Sequence, residues 1–247
     1  QKLSIFNVGA WRRHRDEERH GLFRALLGHL QVRPLGISDG KHALKHALRY
    51  VTDTRGLFLE FGVYQGTTLN IIAKTLQTLG GGRVFGFDSF AGLPEAWADA
   101  DQEGDFPAGT FKLSKLPEVE ANAELVVGYF NETLPKFLRD HAQSEPVRFV
   151  HLDADLYSST RDVLLALGPY ILPGCLIVLD DFVNFPGFNT SGMLALEEFL
   201  LQKGGPDRLQ VLGAPWEVWE HPIKTKTDGA LDYDPFVRQD MERAVVL

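Results

Sequence analysis

The chain has 247 residues, 44% of them hydrophobic and 23% charged, which suits one large folded domain. Its 25 basic residues against 33 acidic ones give a net charge of −8, and the one short basic run is WRRHR at 11–15, so a nucleic-acid partner is not expected. The single cysteine, Cys175, excludes an internal disulfide and, set among apolar residues in LPGCLIVLD, reads as a packed thiol rather than a nucleophile.

The first twenty residues are charged where a signal peptide needs an apolar core, and no apolar run approaches the roughly 18 residues of a membrane span. A chain beginning at Gln1 and lacking both features is expected to be cytoplasmic, with no membrane partner. Two helices are predicted first, over 16–30 and 39–54. In the second, Ala43, Leu44, Ala47, Leu48 and Val51 share a face, and Ser38 with Asp39 stands at its start as a cap. Residues 1–56 are thus expected to form a helical segment covering the site, and 57–247 the main part of what is effectively a single domain.

From residue 57 the pattern becomes strand, glycine turn, helix, repeated. Strands are predicted at 57–61, 83–88, 124–127, 147–152 and 175–180, with two more at 208–213 and 242–247. Helices are predicted at 67–79, 131–141, 157–167 and 191–203. Continuously apolar strands alternating with helices indicate an α/β fold whose parallel sheet is covered on both faces. The stretch 95–116, rich in Asp, Glu, Gly and Pro, reads as a long loop, with Trp97 and the acidic part 95–105 as a lid.

Such sheets bind ligands at the carboxyl ends of their strands. Here those ends carry Glu60 and Gly62, Asp88, Gly128, Asp153 and Asp155, then Asp180 and Asp181, so four of the five finish on acidic residues. In LEFGVYQGTTL, residues 59–69, Gly62 and Gly66 permit a tight turn while Thr67 and Thr68 can cap the helix or meet a ligand. The spacing is ExGxxxG. It departs from the GxGxxG of pyrophosphate-binding turns, and an acidic residue there suits a ligand with a cationic amine. Asp88 stands where a carboxylate accepts hydrogen bonds from an adenosine ribose, in a dinucleotide or in S-adenosylmethionine; as a plain loop residue it would cap the next turn.

FLEFGVYQGTTLN, VFGFDSFAGLPE, LVVGYFNETLPKFL, VHLDADLYSST and LPGCLIVLDDF follow one another in an order and spacing that resemble class I S-adenosylmethionine-dependent methyltransferases, and specifically the macrocin O-methyltransferase family. The resemblance covers roughly 57–200. It implies a Rossmann-like fold with a mostly parallel seven-stranded sheet, and methyl transfer to sugar hydroxyls of antibiotics and other secondary metabolites. The acceptor would be a glycosylated small molecule; no residue sets the oligomeric state, and a homo-oligomer is compatible with the pattern. The resemblance places Glu60, Gly62, Val63, Tyr64, Gly66, Thr67, Thr68 and Asp153 around the methionine part of the cofactor. It places Asp88 and Ser89 on the ribose and Gly128, Tyr129 and Phe130 along the adenine, where stacking against aromatic side chains is favourable.

Asp153, Asp180 and Asp181 end two strands expected to be neighbours. Three converging carboxylates repel one another unless a cation or protonation offsets them, and an all-oxygen set suits Mg²⁺. In the resembling family the matching triad binds a divalent metal. Some of its members use the aspartate matching Asp155 as general base, which assigns that role here; the competing role is a cap on the helix from Tyr157. His151 is the alternative base, or a residue packed beneath the cofactor. Two other functions fit part of the pattern: a metal-dependent glycosyltransferase using the DxD of Asp153 and Asp155, and a non-catalytic S-adenosylmethionine-binding protein.

Overall fold

The structure, a computed structural model, describes residues 40–97, 106–143, 145–180 and 190–203, together with the backbone of 224–225, 231–232 and 245–246. Along the chain these form α1 (Gly40–Leu48), β1 (Leu57–Phe61), α2 (Thr67–Thr78), β2 (Val84–Asp88), β3 (Ala123–Val127), α3 (Phe130–His141), β4 (Val147–Leu152), α4 (Tyr157–Leu167), β5 (Ile171–Leu179) and α5 (Gly192–Lys203). Three two-residue strands follow: β6 (Lys224–Thr225), β7 (Leu231–Asp232) and β8 (Val245–Val246). Strand order in the main sheet is β3-β2-β1-β4-β5-β8. The first five strands are parallel and β8 is antiparallel to β5, while β6 and β7 pair as a separate hairpin.

Alternation along the strands divides the core in two. Leu57, Leu59, Phe61, Phe85 and Phe87 face α3, α4 and α5. Phe58, Val84, Phe149 and Val178 face α1 and α2, where Leu44, Ala47, Leu48 and Val51 present the apolar stripe read from the sequence. Gly86 lets α2 lie close to β2: a Cβ there would stand 2.7 Å from side-chain carbons of Leu69 and Val63. Among the described residues no helix is long and apolar enough to cross a membrane.

The α/β architecture agrees with the sequence reading, and most elements fall within a residue of their expected bounds. β5 begins earlier than the expected 175, at Ile171. Pro173 and Gly174, which read as a turn, are absorbed in an irregularity of the β4–β5 pairing: Val147 pairs Ile171, and Phe149 already pairs Leu176. The first helix is shorter than expected, ending at Leu48. The expected helix at 16–30, the cap residues Ser38 and Asp39, and the strand at 208–213 lie outside the described residues.

The ladder continues one residue past the strands. Gly62 N–H donates to Phe87 O at 3.0 Å, Gly128 N–H to Asp88 O at 3.0 Å, Asp153 N–H to Phe61 O at 2.9 Å and Asp180 N–H to Leu152 O at 2.9 Å. Gly62 has φ 92°, and a Cβ on it would lie 1.7 Å from the carbonyl oxygen of Asp153. Its glycine is therefore demanded by backbone packing as well as by dihedral. Gly80, at φ 103°, has nothing within 4 Å of such a Cβ. Gly62→Ala is expected to cost about 3 kcal/mol or more in denaturant unfolding, and Gly80→Ala only the dihedral strain of about 1 kcal/mol. Equal costs would show that the approach to Asp153 is not the constraint.

Candidate active site

A cleft of about 460 Å³ opens at the carboxyl ends of β1 to β4, within the range of roughly 300–1,000 Å³ found for small-molecule sites. Of the residues expected around a cofactor, Gly62, Tyr64, Asp88, Ser89, Tyr129, Phe130 and Asp153 line it, and so does Asp155. Val63, Gly66, Thr67, Thr68 and Gly128 stand behind this wall, in the turns that shape it. Glu60 is fully buried beneath it. Asp180 ends β5 next to β4, while Asp181 lies outside the described residues.

Asp88 organises the β1 turn. One carboxylate oxygen accepts the backbone N–H groups of Val63 at 2.9 Å and Tyr64 at 2.8 Å, and the other accepts Phe90 N–H at 2.7 Å. Ionised acceptors of this kind make strong hydrogen bonds, and a carboxylate has lone pairs left for further donors. Ser89 accepts from Ala91 N–H and donates to Gly92 O. Gly66, at φ 79°, is the N-cap of α2, so Thr67 and Thr68 open the helix rather than cap it. Thr68 turns its hydroxyl back to Glu60, donating to Oε1.

Three non-glycine residues of the lining hold left-handed backbone: Tyr64 at φ 45°, Phe111 at φ 66° and Asp155 at φ 55°. Aspartate tolerates this region, whereas in a bulky aromatic it stores strain, which concentrates at functional sites. The cap position of α4 is held by Leu156, so Asp155 is not the capping residue. Instead Asp155 lies in the cleft, its carbonyl accepting the Ser191 hydroxyl at 2.8 Å.

Beneath the cleft, β1 and β4 set Glu60 opposite His151. Both are fully buried, with His151 Nδ1 3.1 Å from Glu60 Oε1 and Nε2 3.6 Å from Asp180 Oδ2. Burial pushes the imidazole towards its neutral form, but the flanking carboxylates of Asp180 and Glu60 reverse this and hold its pKa well above the usual histidine value. His151 is buried in the sheet and is not part of the cleft lining.

Sequence reasoning passed over several residues of the wall. Glu95, Ser158, Ser159 and Asp162 line it, with Ser158 donating its hydroxyl to Glu95. Ser158, Ser159 and Asp162 share the cleft-facing side of α4, a spacing that helical periodicity could have revealed. Phe111 carried no local signal; it reaches the lining from a loop. Its ring meets Tyr64 edge-on at 5.6 Å, lies 5.4 Å from Phe106, and Phe106 in turn stacks on Trp97 at 5.2 Å. A bridge between Trp97 and Phe106 ties off the expected lid, whose residues 98–105 lie outside the described ones.

Among the described residues the cleft lining has six carboxylates (Asp88, Glu95, Glu132, Asp153, Asp155 and Asp162) and not one lysine, arginine or histidine. Such a surface attracts cations and repels a bare phosphate or pyrophosphate.

A doubly wound sheet with an acid-lined cleft at its carboxyl edge defines the nucleotide-cofactor class of α/β folds. The methyltransferase domain family matches residues 59–182, half of the chain, and the chain belongs to that family. It is 32% identical over 143 residues to the 8-demethyl-8-(2,3-dimethoxy-alpha-L-rhamnosyl)-tetracenomycin-C 4'-O-methyltransferase of Streptomyces olivaceus, a match covering 51% of this chain and 53% of that protein. The chain thus spans about half the length of this curated relative. Among solved structures it is similar to CalS11, a calicheamicin methyltransferase, with a TM-score of 0.57 and 19% identity over 99% of this chain and 98% of that one. Apo CalS11, described as a TDP-rhamnose 3'-O-methyltransferase, superposes with a TM-score of 0.50 and 19% identity over 83% of this chain and 77% of that one. At these identities the structures establish a shared fold.

Cys175 lies at the far side of β5 from this chemistry. Burial pushes its thiol from 9.0 up to about 12, which leaves about a thousandfold less thiolate near neutrality. Iodoacetamide at pH 8 is expected to label the native protein far more slowly than the guanidinium-unfolded chain. Equal rates would mean that the thiol is reactive.

Proposed function

We propose that this protein is a Mg²⁺-dependent O-methyltransferase of the macrocin type, moving a methyl group from S-adenosylmethionine to a sugar hydroxyl of a glycosylated secondary metabolite. The observation that carries this is the lining of six carboxylates without a basic residue among the described residues, at the strand ends where this fold binds cofactors. S-adenosylmethionine brings a sulfonium and an ammonium against a single carboxylate, so its net positive charge suits such a wall. Two carboxylates, Asp153 and Asp180, end adjacent strands, and an all-oxygen donor set fits a hard divalent ion. The tetracenomycin relative, whose name specifies methylation of a rhamnosyl 4' oxygen, supports a sugar hydroxyl as acceptor.

In this reading 57–247 is the catalytic domain and 1–56 a segment covering it. Asp88 and Ser89 receive the ribose, Tyr129 and Phe130 flank the adenine, and the turn from Gly62 to Thr68 surrounds the methionine part above Glu60. Asp153, Asp180 and Asp181 would hold the metal, which would lower the acceptor hydroxyl's pKa and orient it. S-adenosylmethionine supplies an electrophilic methyl for in-line displacement. Asp155, at the acceptor side of the cleft, takes the hydroxyl proton as the oxygen–carbon bond forms and the carbon–sulfur bond breaks. Its left-handed backbone fixes where the carboxylate can reach. Glu95, Ser158 and Asp162 offer the hydrogen-bonding groups a sugar needs. The glycosyltransferase alternative does not explain a lining that, among the described residues, is acidic with no basic group.

Calorimetry is expected to detect S-adenosylhomocysteine binding, and a panel of glycosylated metabolites to yield methyl transfer that a chelator abolishes and Mg²⁺ restores. Binding of neither cofactor form, or stabilisation by UDP-sugar with Mn²⁺ in place of S-adenosylhomocysteine, would overturn the proposal. Asp155→Asn is expected to keep both ligands and slow methyl transfer by about 10²- to 10⁴-fold. Full activity in that variant would remove Asp155 from the chemistry.

A further inference from the structure

Tyr64 and Phe111 are bulky aromatics in left-handed backbone, and both line the cleft. Their rings meet edge-on at 5.6 Å, yet Tyr64 stays 42% exposed and Phe111 37%. Burial thus offsets only part of the backbone strain. Phe90, at φ 51°, is different: it is 6% exposed and packed in the core. Strain of this kind persists where the surrounding structure holds a side chain in place, and it clusters at ligand sites.

Phe111 and Trp97 stand on one ribbon. Leu113 N–H donates to Phe90 O at 3.1 Å, Leu93 N–H to Thr110 O at 2.9 Å, Gly109 N–H to Leu93 O at 2.9 Å and Trp97 N–H to Phe106 O at 2.8 Å, so 106–113 runs back alongside 90–97. At the base of the ribbon Gly92, at φ 88°, admits the Gly109 carbonyl, whose oxygen lies 2.4 Å from where a Cβ would stand. Further along, the Glu95 carboxylate accepts the Ser158 hydroxyl, which ties the ribbon to α4 just beyond Asp155. Two rings and a carboxylate therefore enter the cleft on a single hydrogen-bonded element.

We infer that Phe111 and Trp97 form a platform for the acceptor, on which one face of its pyranose ring lies while hydroxyls at the ring's edge meet Glu95 and Ser158. The inference rests on the sugar-acceptor reading above. The C–H groups on a pyranose face are apolar and weakly positive, which suits the negative face of an aromatic ring. The polar edge of the same sugar needs acceptors and donors, and the Glu95 carboxylate keeps lone pairs beyond the one that Ser158 uses. A ligand with an apolar face and a hydroxylated edge matches a wall that carries both.

The test uses the full chain loaded with S-adenosylhomocysteine and, as probes, the methyl pyranosides of glucose, galactose, mannose and rhamnose. Saturation of the protein's aromatic protons is expected to transfer to the C–H protons of a bound pyranoside in the nuclear magnetic resonance spectrum. Phe111→Ala is expected to weaken that pyranoside's binding by about 3- to 10-fold, and Phe111→Tyr, which keeps the ring, to restore it. S-adenosylhomocysteine affinity, read by calorimetry, should be the same in all three proteins. Should Phe111→Ala lose cooperative melting, Phe111→Leu keeps apolar bulk without a ring face and is expected to show the same loss. Pyranoside affinity unchanged in Phe111→Ala or Phe111→Leu would overturn the platform alone. A loss of S-adenosylhomocysteine affinity in those variants, with pyranoside binding intact, would assign the rings to the cofactor and overturn it too. Wild-type protein that binds S-adenosylhomocysteine but no pyranoside would overturn the sugar-acceptor reading together with the platform.

Discussion

The site depends on how closely the carboxyl ends of β1 and β4 approach. The Phe61 carbonyl accepts the Asp153 N–H at 2.9 Å, and the Asp153 carbonyl occupies the space where a side chain on residue 62 would begin. Only glycine closes this junction, and it must also take φ 92°. Because the ladder continues beyond the last strand residue on β1, β3 and β5 as well, the groups that follow these strands are fixed in height relative to one another. Asp88, Tyr129 and Asp153 consequently reach a common cleft from separate strands, and Asp180 is set beside them on β5. The β1 turn is secured from the other side by the Asp88 carboxylate, which accepts the two successive amides of Val63 and Tyr64.

This geometry brings like charges together, and the fold answers them in two ways. In the cleft the carboxylates face solvent, where a cationic ligand can meet them. Below it, Glu60 and Asp180 flank a fully buried imidazole. Replacing the imidazole by an apolar group would leave two carboxylates, on the strands that flank β4, without it between them, a costly arrangement in a low-dielectric core. The aromatic wall of Trp97, Phe106, Phe111 and Tyr64 supplies the apolar counterpart to the acidic side. A cleft with one charged and one aromatic wall suits a ligand that is itself divided between polar and apolar parts.

Much of the arrangement was legible from local pattern. The mostly apolar runs at 57–61 and 147–152 are β1 and β4 with the expected bounds, because strands buried on both faces read as nearly continuous apolar runs, broken here by Glu60, Arg148 and His151. Acidic residues placed after those runs pointed to the edge at which the cleft opens. β5 was misjudged at its start because Pro173 and Gly174 read locally as a turn, and only the pairing with β4 shows an irregular strand continuing through them. The capping alternative for Asp155 failed for a similar reason: the helix begins one residue later than a side-chain cap at 155 requires, with Leu156 at the cap position.

The sequence by itself determined the α/β class, the order of strands and helices, and the set of acidic residues at the strand ends, since each follows from periodicity and punctuation within a few residues. Which of those acids face the cleft and which lie under it was decided by tertiary structure. Glu60 and Asp88 both follow apolar residues in extended runs, yet one points into the α1 and α2 face to meet Thr68 and His151 while the other receives the backbone of the neighbouring turn. Contacts between residues 91 positions apart, such as Glu60 with His151, are set by strand neighbourhood and register, for which the local pattern of a single strand carries no information.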